Sequence, residues 1–552
     1  MELNELTLKL LNKRGITSEE EIEEFLSPTP KKTYDPFLLP DMEEGADLIL
    51  REIASGTRIM IYGDYDADGM TSTALMLTVL GHLMKGREKD LDYYIPSRFD
   101  EGYGLNMDAI KAIHERGFGL IITVDCGAVS EEEARYAEEL GMKILVTDHH
   151  NITDRMAKCL LIDPKKPGSR YPFEGLCGCG VAFKLSQALR MKSDLPKSVL
   201  AEVLDLVAVG TIGDMMPLTD ENRTLVKYGL RALNSGKRPG LRELIRVSGL
   251  ELGEIKSEDA GFILVPHLNA AGRLGDASLG VRLLTAKEGD PGIREMAQQL
   301  DVLNNKRKTL QQDTYTRCVE LMDDEDFKLI ECPEAHEGIA GIVAGKIKET
   351  YNRPCIICMK TQEEGYLKGT GRSIDGLSIY DMLKKYDGLF LKFGGHAKAC
   401  GFTISEENLP LLKEGILRDI HEIKENDPEV FERKYPWDLE AGVDDCSMEL
   451  ADELSLLEPF GQDNKRPAFL VKGGILTDVR YMGDEEQHVK FTLRGRGGES
   501  LTCVLFRRAG EFRNILRPGR RISATGTLET QVWQGRKRLQ LIAENIIDEN
   551  YY

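Results

Sequence analysis

Short apolar runs recur through the first third of the chain, at 58–63, 91–95, 119–124 and 143–147. Runs of this length predict strands, and the segments between them, 71–84, 106–115 and 130–140, have helical character. Ser130 followed three residues later by Glu133 has the pattern of a capping box. The βαβαβαβ alternation predicts a largely parallel sheet with helices on its faces, an α/β architecture. Helical character continues over 181–229. A polar stretch at 293–322 lacks Gly and Pro and predicts one long helix bridging two domains. A smaller α/β pattern follows at 327–423, and a charged link through Asn426, Asp427 and Pro428 leads to 467–547. There, short alternating strands at 488–493, 500–505, 521–528 and 538–542 are broken by Gly, the pattern of a small β-barrel. The expected organisation is an N-terminal helical extension (1–50), a first α/β domain (51–285), a connecting helix (286–325), a second α/β domain (326–430), and a linker with a barrel (431–552).

The chain has 552 residues, 41% of them hydrophobic, with 54 Gly and 21 Pro. That length and near-average usage imply several globular domains and exclude collagenous or low-complexity classes. Nowhere do 18 uncharged apolar residues run together, and no apolar leader with a small-residue cleavage site follows the first Met, so no membrane and a cytoplasmic location are expected. Eleven scattered Cys fit reduced thiols. The net charge of -20 argues at first against nucleic acid. Its distribution does not: residues 490–540 hold twelve Lys or Arg against three acids, so this segment is +9 and the remainder -29. A basic module on an acidic body points to a polyanion.

Candidate chemistry gathers where predicted strands end. In GDYDADG, Asp64, Asp66 and Asp68 alternate through the loop after the first strand, and Gly69 permits a tight turn into the next helix. Three carboxylates in five residues repel one another, and a hard divalent cation relieves the repulsion. An EF-hand loop would need a bidentate Glu where Leu75 stands. A phosphatase with Asp66 as nucleophile is a second reading, and a multi-metal phosphoesterase a third. Downstream residues favour the third. Asp125 closes the third strand in VDCG, and Asp148 closes the fourth in TDHH, followed by His149 and His150; Asp214 ends the apolar run LDLVAVGTIGD. Acids at neighbouring strand ends of a parallel sheet converge on one crevice. Carboxylates with imidazole suit Mn²⁺ or Mg²⁺, and two such ions serve phosphoryl transfer. The Cys177/Cys179 and Cys355/Cys358 pairs lack partners at zinc-finger spacing, and Ala340 and Ile347 stand where a P-loop needs Gly and Ser or Thr.

The succession GDYDADG, VDCG, TDHH and GTIGD resembles the four motifs of the DHH phosphoesterases. HLNAAGRLGD (267–276), HEGIAGIVAGKI (336–347), GTGRS (369–373), GGHAKACG (394–401) and EPFGQDN (458–464) extend the resemblance over nearly the whole chain to the RecJ family of single-strand-specific 5′-to-3′ DNA exonucleases. The resemblance implies a DHH catalytic domain, a DHHA1 domain and a C-terminal OB fold. It places metal ligands at Asp66, Asp68, Asp125, His149 and Asp214, with Asp125 bridging two Mn²⁺ or Mg²⁺ ions. Related pyrophosphatases have a His where Tyr62 stands, and Asp64 is the candidate to replace it. Asp148 is expected to orient rather than ligate. His150 either faces the scissile phosphate as donor or acid, or serves as the partner of Asp148. Arg273, Thr370, Arg372 and His396 are the expected phosphate-binding residues of the DHHA1 domain. Trp533 with Arg536, Lys537 and Arg538 is the candidate single-strand platform of the OB fold. The implied partners are single-stranded DNA, a single-strand-binding protein and a helicase, and the implied state is a monomer. Two alternatives are a DHH phosphoesterase acting on short oligonucleotides or nucleotide bisphosphates, and a non-catalytic DNA-binding scaffold.

Overall fold

Four of the apolar runs form β1 (Ile59–Tyr62), β2 (Leu91–Tyr94), β3 (Leu120–Val124) and β4 (Lys143–Thr147), joined by a short β5 (Leu160–Ile162) that the sequence pattern did not reveal. In this computed structural model, which describes residues 3–29, 32–99, 101–153, 155–533 and 536–549, the strands form one parallel sheet in the order β2-β1-β3-β4-β5. The chain steps outward from β1 to β2 and then back to the other side of β1 for β3. The carboxyl ends of β1 and β3 therefore flank a topological switch point, where ligands bind in open α/β sheets.

Helices cover both faces. On one, Ile110, Ile113, Ala134 and Ala137 pack against Met60, Tyr62, Ile121 and Val146. The helix Ala67–Leu83 is apolar nearly all round and buried along most of its length, as such composition requires. The capping box read at Ser130 does not form: Ser130 has ψ 61, outside the extended region an N-cap side chain needs, and makes no capping bond. Three glutamates in the first turn of the helix Glu131–Glu139 favour that end electrostatically instead.

The chain divides into two compact units, one made of residues up to Pro96, Tyr103–Val265 and from Tyr435 on, the other of Ser97–Gly102 and Pro266–Lys434. The second unit holds the expected long helix, Ile293–Leu321, and a mixed sheet of β6 (Lys328–Glu331), β7 (Cys355–Lys360), β8 (Tyr366–Arg372), β9 (Phe390–His396) and β10 (Ala399–Ser405) in the order β6-β7-β8-β10-β9.

The C-terminal part of the first unit contains β11 (Leu439–Gly442), β12 (Ala468–Met482), β13 (His488–Arg494), β14 (Ser500–Leu505), β15 (Arg521–Trp533) and β16 (Arg536–Asp548). They run β11-β12-β13-β14-β16-β15, and pairing of β12 with β15 closes a ring. Leu10, Leu11 and Leu26 of the first two helices (Glu5–Lys13 and Glu19–Leu26) share one core with Phe469, Phe491, Cys503 and Leu541 of that ring. Arg14 donates to Asn464 Oδ1 at 2.6 Å, and Arg223 donates to the Leu457 carbonyl at 2.9 Å. The opening helices are thus packed into the C-terminal ring. All eleven Cys are free thiols. Among the described residues, no helix is long and apolar enough to cross a membrane.

Candidate active site and metal centre

Each acid of the candidate site is delivered by a strand end or a helix end. Asp66 is the N-cap of the helix Ala67–Leu83, its Oδ1 accepting the amides of Asp68 (2.9 Å) and Gly69 (3.1 Å). A side chain at Gly69 would lie 2.4 Å from the Asp64 carbonyl oxygen, so the tight GDYDADG turn requires glycine there. Asp68 is buried, and its two oxygens accept the amides of Gly178 (2.6 Å) and Cys179 (2.9 Å) at the start of the helix Gly178–Lys192. This helix end supplies donors and a favourable dipole to the carboxylate. Asp125 follows β3 with a φ of 62° and is buried. Asp214 caps the C-terminus of the helix Leu204–Gly213.

Two three-residue sets result, Asp64/Asp66/Asp125 and Asp68/His149/Asp214; within each, one potential ligand atom per residue lies within 4.8 Å of the others. The sets share no residue. His149 joins them, with Nε2 3.1 Å from Asp125 Oδ1, 3.5 Å from Asp214 Oδ2 and 3.9 Å from Asp68 Oδ2. Despite the 3.1 Å approach, neither Asp125 Oδ1 nor either ring nitrogen of His149 has a hydrogen-bond partner, although these atoms are buried. Buried polar atoms without partners need an explanation, and a cation held among them supplies one. A further overlapping group is Asp125, Asp148, His149 and His150.

The electrostatics agree. Burial, then the neighbouring Asp66 charge, pushes Asp68 up to about 6. Burial, with the Asp68 charge, holds Asp214 up to about 7, and burial with the surrounding acids raises Asp125 well above its ordinary value. Burial pushes His149 down to about 4, which keeps its imidazole neutral and able to ligate. Acids held above their ordinary range by burial and one another are the setting in which a cation reverses the balance.

Asp148 differs. Its Oδ2 accepts the Ala128 amide (2.8 Å), and its Oδ1 accepts the amides of His149 (2.7 Å) and His150 (3.2 Å) and stands 2.7 Å from His150 Nδ1. Against the opposing effect of burial, the bond to Asp148 holds His150 up at about 9, and the same pairing lowers Asp148. Tyr62 points its hydroxyl to the Gly104 carbonyl at 3.0 Å, away from any ligand role. The motifs did not single out Tyr103, whose hydroxyl is 3.0 Å from His150 Nδ1, or Asp163, which follows β5 and is pushed up to about 7 by burial. Nor did they reveal the Gly178 and Cys179 amides. A glycine opening a helix in GLCGCG is the one signal that could have pointed to those amides.

In the second unit, Arg273 donates to the Gly338 carbonyl at 3.0 Å, at the start of the helix Glu337–Tyr351. A Cβ on Gly341 of the same helix would lie 2.9 Å from Arg372 Nη2 and 3.5 Å from Thr370 Oγ1. Thr370 and Arg372 on β8 are in register with Gly401 and Ala399 of β10, which pair in turn with Gly394 and His396 of β9. His396 is exposed. On the C-terminal ring, Arg536, Lys537 and Arg538 are exposed, Lys537 lies 3.8 Å from Asp452, and Arg538 lines a hollow of about 280 Å³ with Lys490, Thr502 and Gln540. The Trp533 side chain lies outside the described residues. Part of the basic charge of 490–540 is met locally, since Arg508, Arg513 and Arg520 pair with Glu511, Glu486 and Asp548.

Three family models match the chain: the DHH family N-terminal domain at residues 58–211, the DHHA1 domain at 326–422 and the RecJ OB domain at 437–545. The single-stranded-DNA-specific exonuclease RecJ of Bacillus subtilis is 39% identical over 99% of this chain and 68% of its own length. That of Escherichia coli is 35% identical over 99% of this chain and 96% of its own length. The crystal structure of RecJ from Thermus thermophilus in complex with Mn²⁺ superimposes with a TM-score of 0.78 at 27% identity, covering 99% of this chain and 78% of that one. A Mg²⁺ complex of that protein matches with a TM-score of 0.75. With its acids and histidine gathered at the switch point and its similarity running from end to end, the chain belongs to the RecJ family of single-stranded-DNA-specific exonucleases.

Proposed function

We propose that this protein is a metal-dependent exonuclease that hydrolyses single-stranded DNA from the 5′ end to 5′-mononucleotides, in recombination, repair and replication-fork processing. The observation that carries this reading is the pair of disjoint donor sets, Asp64/Asp66/Asp125 and Asp68/His149/Asp214, joined at His149 and Asp125. Carboxylates with one imidazole suit Mn²⁺ or Mg²⁺. Two such ions, when bound, activate water and stabilise the charge on attacking and leaving oxygens.

The chain's own groups do the rest. The Gly178 and Cys179 amides fix the Asp68 carboxylate in one orientation. Asp148 orients His150 through Oδ1 rather than ligating. With Nδ1 turned to Asp148, His150 offers Nε2–H to the phosphate and stays protonated at neutral pH. Water attacks phosphorus, the bond to O3′ breaks, and that oxygen receives a proton. The released nucleotide keeps its 5′-phosphate, and the shortened strand gains one for the next cycle.

Arg273, Thr370, Arg372 and His396 are proposed to hold phosphates of the strand end. Arg536, Lys537 and Arg538, with Trp533, are proposed to hold the single strand on the OB fold. The proposed division is a DHH domain over 51–285, a connecting helix over 286–325, a DHHA1 domain over 326–430, and an OB region over 431–552, with the helical extension 1–50 ahead of them. The setting is a cytoplasmic monomer working with a helicase and a single-strand-binding protein. Incubation with Mn²⁺ and oligonucleotides labelled at either terminus tests the reading. A 5′ label should appear first as mononucleotide. Shortening from the 3′ end, or no cleavage, would overturn it.

A further inference from the structure

The two most exposed large apolar side chains among the described residues are Phe262, at 81%, and Met215, at 73%. Both lie on segments at the end of the helix that carries Asp214. Met215 directly follows Asp214 and adopts a φ of 54°, a left-handed conformation that side-chain-bearing residues rarely take. Phe262 belongs to a one-turn π-helix, Ala260–Leu264, in which the Val265 amide bonds to the Ala260 carbonyl five residues back. This turn packs on the end of the helix that carries Asp214: a Cβ on Gly261 would lie 3.2 Å from Ile212 Cγ2, and one on Gly213 would lie 3.3 Å from Val265 Cγ2.

Scattered exposed apolar residues are ordinary on any surface. Here, however, the two belong to packed segments at the end of the Asp214 helix, and each is held by an uncommon backbone geometry. π-helical turns are uncommon and recur at functional sites. Neither side chain contributes to a core, so neither is explained by packing. An exposed aromatic ring with a polarizable thioether on a neighbouring element is a surface for flat, π-faced groups. A single strand whose phosphodiester reaches the acid cluster carries such groups beside every phosphate.

We infer that Phe262, with Met215 on the adjoining helix end, stacks on a nucleobase next to the scissile phosphate and helps this site select unpaired strands, whose bases are free to stack. This rests on the nuclease reading above. The test crosses two changes: Phe262→Ala in the full chain, and tetrahydrofuran abasic residues at the first three positions of a 5′-phosphorylated oligothymidine. The wild type should lose about tenfold in kcat/KM on the abasic strand, the scale of one base–aromatic stack. F262A should lose about the same on the normal strand and nothing further on the abasic one, and F262W should restore activity. Mn²⁺ affinity and melting temperature should stay unchanged. Equal wild-type activity on both strands, losses that multiply, or a variant impaired in folding or Mn²⁺ binding would overturn the inference while leaving the nuclease reading in place. Failure of the wild type to cleave any strand would instead overturn that reading, and the inference with it.

Discussion

Asp148 Oδ1 stands 2.7 Å from His150 Nδ1 and accepts the amides of His149 and His150 as well, so one carboxylate oxygen fixes the backbone and one ring of the His pair. Asp148→Asn keeps the shape but removes the charge. Burial is then opposed only by the Asp214 and Asp68 charges, and the His150 value should fall from about 9. Histidine NMR titration measures this directly. Hydrolysis at neutral pH should drop by about 100-fold or more, the scale of a positioned acid. A variant with an unshifted His150 would separate the two residues functionally.

The buried acids set a pH dependence that a cation should invert. Asp68 is held up to about 6 and Asp214 to about 7, and Asp125 is raised well above its ordinary value, all from 3.8. Each raised carboxyl makes the folded chain bind more protons than the unfolded one in this range, so stability falls as pH rises through about 6 to 7. His150, raised to about 9, has the same sign, whereas His149, lowered to about 4, opposes only up to its ordinary 6.5. Metal-free protein should therefore melt at a higher temperature at pH 6 than at pH 7.5. Saturating Mn²⁺ should reverse that order, because it binds the deprotonated set. Asp125→Asn should raise the metal-free melting temperature at pH 7.5 while abolishing hydrolysis. Thermal melts with EDTA or Mn²⁺ provide the check, and normal cleavage by Asp125→Asn would contradict the two-ion arrangement.

Gly178 has no room for a side chain: a Cβ there would sit 2.5 Å from Asp125 Cβ. Gly178→Ala must displace Asp125 or the amide that binds Asp68. Mn²⁺ affinity measured by calorimetry should weaken by about 10- to 100-fold, the scale of losing a ligand's supporting contact. Far-UV circular dichroism should be unchanged.

Arg372 sits with Thr370 near the first turns of the helix Glu337–Tyr351. Losing one charged hydrogen bond to phosphate costs about 1.5 to 3 kcal/mol. Arg372→Ala should lower kcat/KM on 5′-phosphorylated strands by about ten- to hundredfold and leave Mn²⁺ binding intact. An equal loss on 5′-hydroxyl strands would place Arg372 away from the terminal phosphate.

Deletion of the C-terminal ring is a poor test of DNA binding, because it would uncover Leu10, Leu11 and Leu26, which share its core. Replacing Lys490 and Arg538 with Ala at the hollow spares the fold. Affinity for a long single strand should fall, and its slope against log salt should flatten by about 0.7 for each lost phosphate contact. An unchanged slope, measured by fluorescence anisotropy, would locate the strand elsewhere on the protein.

What the sequence determined by itself is local. Short apolar runs between helical segments specified β1 to β4, and a Gly- and Pro-free polar stretch specified the helix Ile293–Leu321, because secondary structure follows periodicities readable within a dozen residues. GDYDADG, VDCG and TDHH named Asp64 to Asp68, Asp125 and His149 as candidates, because acids placed at strand ends of a parallel sheet have one crevice to share. Tertiary structure decided the rest. The three-residue β5 was too short to carry a period, the pattern predicts no strand at β12, and β15 and β16 run past the alternation at 521–528 and 538–542 because ring closure, not hydrophobic pattern, supplies their partners. That the first two helices fill the core of the C-terminal ring depends on contacts more than 400 residues apart, such as Thr7 with Glu453, which no local window contains. The same holds for the amides of Gly178 and Cys179 on Asp68, about 110 residues distant. Backbone donors carry no side-chain signature, so only the folded chain reveals which carboxylates they orient.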